Sequence, residues 1–196
     1  MTIFDESGPE QRRGITARLA AEKKSNFERW RDLSQVQSET WDYRAAWAAL
    51  SLSGCHTVVD IGCGHMGLER YLSDGTAYIP VDIVQRDTRT TVIDLNSAHP
   101  DAMTFRGDGV ALLGLIEYLY EPTQLLSAIS KSFRWGAITY CVTDLIGDRD
   151  DRASHGWVNH FSKTDIQAMF ATFGWAIVSA DRLDKMQVAW KLDLSP

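Results

Sequence analysis

The sequence has few cysteines, no long apolar run and no excess of positive charge. Its three cysteines, Cys55, Cys63 and Cys141, are widely spaced and form no C-x-x-C pair, which disfavours a disulfide framework and favours a reducing, cytoplasmic location. The longest apolar run, 110–116, is far shorter than the ~20 residues that span a bilayer. No secretory signal is recognisable in the first residues, so we expect no membrane span and no export.

The charge balance bears on the kind of partner. The formal net charge is −6, from 26 acidic and 20 basic residues, which makes nucleic acid and anionic membranes unfavourable partners. The length of 196 residues and the hydrophobic content of 44% are typical of one globular domain with a small extension. The oligomeric state does not follow from these quantities.

Residues 1–50 contain no strand-like run and form a predicted N-terminal helical extension or lid. We expect a polar head over 1–14 and two helices, roughly over 16–33 and 39–51. The second helix has apolar residues at i, i+3, i+4 and i+7, which predicts one buried face. These residues are Tyr43, Ala46, Trp47 and Leu50.

Residues 51–196 have the texture of an α/β domain, because short β-branched runs alternate with helical patterns. The predicted strands cover 57–61, 77–82, 90–94, 110–114, 137–143, 175–180 and 186–192. Helices are expected from Pro122 and after a capping box that begins at Ser162. The sequence therefore predicts a doubly wound, mostly parallel seven-stranded sheet with a terminal antiparallel hairpin.

One connection in this scheme is unusually short. Only 83–89 separates the second and third strands, whereas a parallel crossover normally takes a dozen residues or more. Either a loop replaces the helix there, or one of the two strand boundaries is shifted.

A glycine-rich loop follows the first strand. Gly62, Gly64 and Gly67 have the G-x-G-x-x-G spacing, and glycines let the backbone turn sharply and approach a ligand closely. We expect a helix directly behind the loop, whose N-terminus would offer free N–H groups. The second strand ends at Asp82, whose carboxylate is suited to the two hydroxyls of a ribose. The pattern predicts a nucleotide-like cofactor that contains adenosine.

Asp60, two positions before the first glycine, decides between cofactors at the level of sequence. An acid this close to a pyrophosphate would repel it, whereas an acid attracts a ligand with a cationic end. S-adenosyl-L-methionine carries an ammonium and a sulfonium and no phosphate. Asp60 therefore favours that cofactor over a dinucleotide.

From about residue 38 to 192 the sequence resembles the class I S-adenosylmethionine-dependent methyltransferases, within them the small single-domain group. In the family a third glycine usually stands at the position of Met66. The resemblance implies methyl transfer to oxygen or nitrogen of a small-molecule or metabolite acceptor. The motifs that carry it are 60–64, Val81-Asp82, Ile93-Asp94-Leu95, 112–119 and 159–162.

The resemblance and the local patterns together assign candidate site residues. Ile83 is expected to pack on the adenine, Asp94 with Leu95 to accept from its amino group, and Gly114 to leave room for the methionine end. Trp41, with Tyr43 and Arg44, is expected in a lid. The cofactor-binding set is Asp60, Gly62, Gly64, Asp82, Ile83, Asp94, Leu95, Gly114 and Trp41. The candidate bases are His160, His155 and Glu117, and no metal is predicted.

Two other functions stay open at this point. An NAD-dependent oxidoreductase would use a similar glycine loop, although no Tyr-x-x-x-Lys is present. A non-catalytic module could keep the fold as a platform that binds a partner. The acceptor cannot be read from the sequence, and we expect 1–50 and 145–160 to determine it.

Overall fold

The computed structural model describes residues 4–31, 39–99 and 102–195. The helices are α1 (Pro9–Ala21), α2 (Phe27–Arg31), α3 (Glu39–Ser51), α4 (Pro122–Ile129), α5 (Arg149–Ser154) and α6 (Lys163–Thr172). The strands are β1 (Thr57–Ile61), β2 (Ala77–Asp82), β3 (Thr91–Val92), β4 (Gly109–Leu113), β5 (Trp135–Cys141), β6 (Ala176–Arg182) and β7 (Gln187–Asp193). Short 3₁₀ helices cover Phe4–Glu6, Gly67–Tyr71 and Ile116–Tyr118.

The strands form one seven-stranded sheet in the order β3-β2-β1-β4-β5-β7-β6. Neighbouring strands from β3 to β5 are parallel, and β7 is antiparallel to both β5 and β6. The predicted fold class is confirmed, including the terminal hairpin of β6 and β7. Since the parallel strands all end at the same edge, the loops after them meet there.

The strand predictions are shifted by one or two residues for β4, β5, β6 and β7 and are poorest at the β3 edge of the sheet. β1 and β2 have the predicted bounds, whereas β3 shrinks to two residues. No helix occurs between β2 and β3, so a loop replaces it. The hydroxyl of Thr90 accepts hydrogen bonds from the backbone N–H groups of Arg86 and Asp87, which closes this connection into a compact turn.

The predicted helix over 16–33 was wrong in both bounds. α1 begins at Pro9, where proline suits the first helical turn, so the predicted polar head over 1–14 is largely helical. The helix ends at Ala21, and Lys23 adopts a left-handed φ of 49°. A separate short helix, α2, follows at Phe27–Arg31.

The buried face of α3 also differs from the prediction. Tyr43 and Leu50 of the predicted apolar stripe are 62% and 74% exposed. The face that packs on the sheet consists of the small residues Ala45, Ala48 and Ala49, and Leu52, the first residue after α3, continues it. Small side chains bring the helix close to the sheet, and this close packing takes precedence over the larger apolar residues of the neighbouring stripe.

Both faces of the sheet are covered, as expected for a doubly wound domain. One face packs Val59 and Ile61 of β1 with α4 and α6, and the other packs Val58 with α3. α6 begins at the predicted capping box, in which Ser162 and Asp165 bond each other's backbone N–H groups. Among the described helices, none combines the length and apolar character that a membrane crossing requires.

The N-terminal helices sit above the edge where the parallel strands end. The hydroxyl of Thr16 in α1 donates to the carbonyl of Ala153 in α5 at 2.9 Å. The guanidinium of Arg29 in α2 donates to the carbonyl of His155 at 2.7 Å. The extension is therefore fastened to the segment that follows β5.

Candidate active site

A cavity of about 420 Å³ opens at the carboxyl edge of the sheet. Its wall includes residues that follow four strands: Gly62 after β1, Asp82 at the end of β2, Gly114 after β4 and Cys141 at the end of β5. Residues of α1, α2 and α3 complete it, among them Trp41. This is the edge at which open α/β sheets bind ligands.

The glycine loop has the backbone conformation that the sequence predicts. Gly62 and Gly64 adopt left-handed φ values of 78° and 51°. A Cβ on Gly62 would lie 3.0 Å from the side chain of Leu115. Met66, at the position of the family's usual third glycine, is also left-handed, with φ 58°. The segment behind the loop is a single 3₁₀ turn, Gly67–Tyr71, so the expected α-helix with its free N-terminus is not present there.

Asp82 lines the cavity, as the sequence predicts, and its carboxylate is held from several sides. One oxygen accepts from the backbone N–H of Gly64 at 2.9 Å, and the other accepts from that of Val84 at 3.0 Å. The guanidinium of Arg86 forms a buried ion pair with this carboxylate at 3.0 Å. The thiol of Cys63 also donates weakly to this carboxylate at 3.9 Å, so its acceptor positions, about four in number, already have four donors, and a ribose hydroxyl would have to replace the weakest of them or share an oxygen. Arg86 is not among the predicted site residues, because nothing in the sequence of this short loop marks an inward-pointing arginine.

Asp60 does not line the cavity, although the sequence predicts that it faces the cationic end of the cofactor. Side chains alternate along a strand, so Asp60 points to the same face as Val58, towards α3, and is not among the residues that line the cavity. The hydroxyl of Tyr78 donates to its carboxylate at 2.8 Å. Burial raises the pKa of Asp60 to about 7, although this hydrogen bond and the charge of Arg44 favour the ionised form. Direct contact with Asp60 therefore cannot be what distinguishes S-adenosylmethionine from a dinucleotide in this cavity.

The other predicted adenosine contacts divide into two groups. Ile83 and Leu95 line the cavity. Asp94 is not among the lining residues, because its carboxylate accepts from the hydroxyl of Ser25 at 2.6 Å and from the backbone N–H of Asn96 at 3.0 Å. Asp94 fastens the segment between α1 and α2 to the loop after β3.

A second cluster surrounds Gly114, whose φ is 67°. The guanidinium of Arg44 lies directly against this glycine, so a side chain at position 114 would displace that flexible group and would also be strained by the left-handed φ. The same guanidinium lies 5.2 Å from the ring centroid of Trp41. Arg44 and Trp41 both line the cavity, whereas the exposed Tyr43 does not take part in the lid that we expected.

Glu117 lines the cavity close to this cluster and is 1% exposed. Its Oε1 accepts from the backbone N–H of Cys141 at 2.8 Å, whereas its Oε2 is buried without a hydrogen-bond partner. Burial raises the pKa of Glu117, and the charge of Arg44 opposes this shift.

The two candidate histidines lie in different places. His155 lines the cavity and stacks on Trp157, with ring centroids 4.7 Å apart. Burial lowers the pKa of His155 and so favours the neutral imidazole, although Asp151 opposes the shift. His160 is not among the lining residues, because its Nδ1 accepts from the guanidinium of Arg152 at 3.2 Å. The structure therefore brings His155 and Glu117 to the cavity wall but not His160, the third candidate base.

Arg152 organises the segment between β5 and α6. It is fully buried and donates to the carbonyls of Cys141 and Asn159 at 2.6 Å and 3.1 Å. In the sequence it belongs to a charged run, 147–152, that is typical of a solvated loop, so no local signal predicts its burial. Within the described ranges, no cluster of His, Cys, Asp or Glu is arranged to hold a metal ion.

An aromatic group lines the part of the cavity between the N-terminal helices and the segment after β5. Trp30 of α2 meets Tyr118 edge-to-face at 4.9 Å between ring centroids. The indole N–H of Trp157 donates to the hydroxyl of Tyr118 at 3.2 Å. The cavity thus has a polar part around Asp82, Arg44 and Glu117 and an aromatic part that contains His155.

Comparison with solved structures identifies the fold. One similar structure is the 1,6-didemethyltoxoflavin-N1-methyltransferase of Burkholderia thailandensis, with S-adenosylhomocysteine bound. Its sequence is 14% identical, the TM-score is 0.65, and the match covers 97% of this chain and 92% of that chain. A methyltransferase from Archaeoglobus fulgidus described as S-adenosylmethionine-dependent is 15% identical, with a TM-score of 0.60 over 79% of this chain and 93% of that chain. The fold is that of the class I S-adenosylmethionine-dependent methyltransferases. No family model matches the sequence, and no curated protein matches it either.

The methyltransferase fold differs from the dinucleotide-binding fold at one edge of the sheet. The dinucleotide fold has the parallel strand order 3-2-1-4-5-6. Here the antiparallel β7 lies between β5 and β6. This difference argues against the oxidoreductase alternative independently of Asp60.

Proposed function

We propose that the protein is an S-adenosyl-L-methionine-dependent methyltransferase that acts on a small-molecule acceptor. The observation that carries the proposal is the cavity, in which the glycine loop after β1 and the carboxylate of Asp82 meet at the carboxyl edge of a methyltransferase-type sheet. The solved enzyme from Burkholderia thailandensis binds S-adenosylhomocysteine.

The residues of the cavity suit the parts of this cofactor. Asp82 would accept from the ribose hydroxyls, and Ile83 and Leu95 would pack on the adenine. Gly62 and Gly64 leave the backbone open to close approach, since side chains there would fill the space beside Leu115 and Trp41. When bound, S-adenosylmethionine supplies an activated methyl group on a sulfonium. The protein has to align the acceptor with that methyl group and exclude water.

The aromatic part of the cavity is the proposed place of the acceptor. Its rings favour an acceptor with a flat, apolar body, and the volume is typical of sites for small molecules. His155 is the proposed base for a hydroxyl or amine acceptor, because burial favours its neutral form and it lies in this part of the wall. We also retain the division into a lid, 1–50, and a catalytic domain, 51–196. A reducing cytoplasm agrees with the three free, buried cysteines.

Binding and turnover test the proposal in two steps. Calorimetry with S-adenosylmethionine, S-adenosylhomocysteine and NAD⁺ should show binding of the first two and none of the third. A panel of flat aromatic acceptors, incubated with isotope-labelled S-adenosylmethionine and read by mass spectrometry, should then identify a methylated product. Binding of NAD⁺ alone would support the oxidoreductase, and binding of none of the three would support a non-catalytic module.

A further inference from the structure

The cavity continues past β4 to the ends of β5 and β7, beyond the strands β1 to β3 that carry the proposed contacts of the cofactor. Because β7 runs antiparallel to β5, its first residue, Gln187, pairs with Cys141, the last residue of β5. Glu117, after β4, and Asp184, in the link before β7, belong to the same wall. We call the part of the wall that these four residues form the acidic lobe.

Both carboxylates of the acidic lobe approach the thiol of Cys141. Oε1 of Glu117 accepts from the backbone N–H of Cys141 at 2.8 Å, and the side-chain amide of Gln187 donates to the sulfur at 3.8 Å. Burial raises the pKa of the thiol, and the charges of Glu117 and Asp184 raise it further. The sulfur therefore keeps its proton and adds no charge of its own to the two carboxylates.

Neither carboxylate of the lobe is paired with a cation in the part of the chain that the structure describes. Asp184 uses Oδ1 to accept from the backbone N–H groups of Met186 and Gln187, both at 2.7 Å. Glu117 is 1% exposed, and its Oε2 is buried without a hydrogen-bond partner among the described residues. Arg44 attracts Glu117 electrostatically, but one guanidinium outside ion-pair distance does not balance two carboxylates.

This chemistry suits a ligand with a positively charged amino group. A carboxylate withdrawn from water is stabilised by a cation that donates hydrogen bonds to it, and leaving a buried oxygen unpaired is costly. An ammonium carries three donors in a small volume. These donors are enough for Oε2 of Glu117 and for the second oxygen of Asp184.

We propose that the acidic lobe binds an ammonium group of the acceptor. This inference rests on the proposed function, since it names the chemical class of the acceptor: a flat aromatic body with an amino group that reaches Glu117 and Asp184. The lobe adjoins the aromatic part of the cavity, because Tyr118 follows Glu117 in the chain and lines the same wall. An ammonium has no lone pair, so the methyl group goes to another atom of the acceptor, beside His155.

Three probes with one flat body and different charges test the assignment on protein saturated with S-adenosylhomocysteine. The 2-isomers of naphthylmethylamine, naphthylmethanol and naphthoate are a cation, a neutral molecule and an anion at neutral pH. We expect calorimetry to show the amine binding about 10- to 100-fold more tightly than the alcohol, because hydrogen bonds between charged groups are gained. The naphthoate should bind more weakly than the alcohol, since like charges repel.

Two isosteric substitutions each remove one negative charge and keep the local hydrogen bonds. Asp184→Asn retains the oxygen that accepts two backbone N–H groups, and Glu117→Gln retains the oxygen that accepts from Cys141. In both variants the preference for the amine over the alcohol should fall about 10-fold, whereas the affinity for S-adenosylhomocysteine should stay unchanged. Asp74→Asn, the same change at an exposed aspartate before β2, is the matched control and should alter neither quantity.

A wild type that binds the amine no more tightly than the alcohol, or binds neither probe, overturns the inference. A preference for the amine that survives in both variants overturns it too, and so does a loss of affinity for S-adenosylhomocysteine in the variants, which would assign the lobe to the cofactor. In each case the wild type still binds S-adenosylhomocysteine, and the proposed function stands. Failure of the wild type to bind S-adenosylmethionine and S-adenosylhomocysteine overturns the proposed function itself.

Discussion

The buried carboxyl group of Asp60 should make the stability of the ligand-free protein depend on pH. Burial raises its pKa to about 7 in the folded protein, whereas an aspartate in an unfolded chain titrates near ~3.9. A carboxyl group whose pKa is higher in the folded state holds its proton more tightly there. Its contribution is therefore favourable at low pH and is lost as the pH rises from about 4 to about 7.

The size of the effect follows from the shift. A pKa difference of about three units corresponds to about 4 kcal/mol over the whole window. Part of that change occurs below pH 5, so the loss in unfolding free energy between about pH 5 and about pH 8 should be about 2–3 kcal/mol. Asp60 is 2% exposed, so solvent does not screen this cost appreciably.

The substitution Asp60→Asn provides the comparison, because it imitates the neutral carboxyl and keeps an oxygen for the hydroxyl of Tyr78. His155 and His160, whose pKa values are lowered, contribute the opposite slope but do so equally in both proteins. Urea unfolding at a series of pH values measures the unfolding free energy of both proteins. The difference, variant minus wild type, should rise by about 2–3 kcal/mol from pH 5 to pH 8. A difference in unfolding free energy that stays constant with pH would refute the reasoning. A difference that falls as the pH rises would refute it as well.

Three further predictions concern the cavity and the packing of α3. Asp82→Asn should weaken the binding of S-adenosylhomocysteine by about 10- to 100-fold in calorimetry, because the ribose hydroxyls lose a charged acceptor; undiminished affinity would contradict its role. His155→Asn should lower kcat by about 10²- to 10⁴-fold on an acceptor that must lose a proton. His160→Asn is the control, since His160 lies outside the cavity, and it should change kcat little. An equal effect of both substitutions would exclude His155 as the base. Ala48→Leu should cost about 1–3 kcal/mol of unfolding free energy, because the alanine is fully buried against the sheet. Leu50→Gln, on the exposed side of the same helix, should change the unfolding free energy by less than about 0.5 kcal/mol, and denaturant titration of both variants checks the assignment of the faces.

Patterns that extend over a few residues were enough to predict much of this fold. Apolar β-branched runs predicted β1 and β2, and the short link after Ala180 predicted the terminal hairpin. The capping box at Ser162 located the start of α6. The glycines and Asp82 located the cavity, because the positions of strand ends follow from the strands themselves.

The orientation of individual side chains required the tertiary structure. Alternation along β1 turns Asp60 away from the cavity, although its distance in sequence from Gly62 suggests contact. Periodicity shows which residues of α3 are apolar, but how closely the helix approaches the sheet decides that alanines are buried and Leu50 is exposed. Arg44 and Arg152 have long side chains whose charged ends reach groups far away in sequence, and only packing determines which groups those are. The strands and the glycine loop therefore follow from local chemistry, whereas the charges that face a ligand depend on contacts between distant segments.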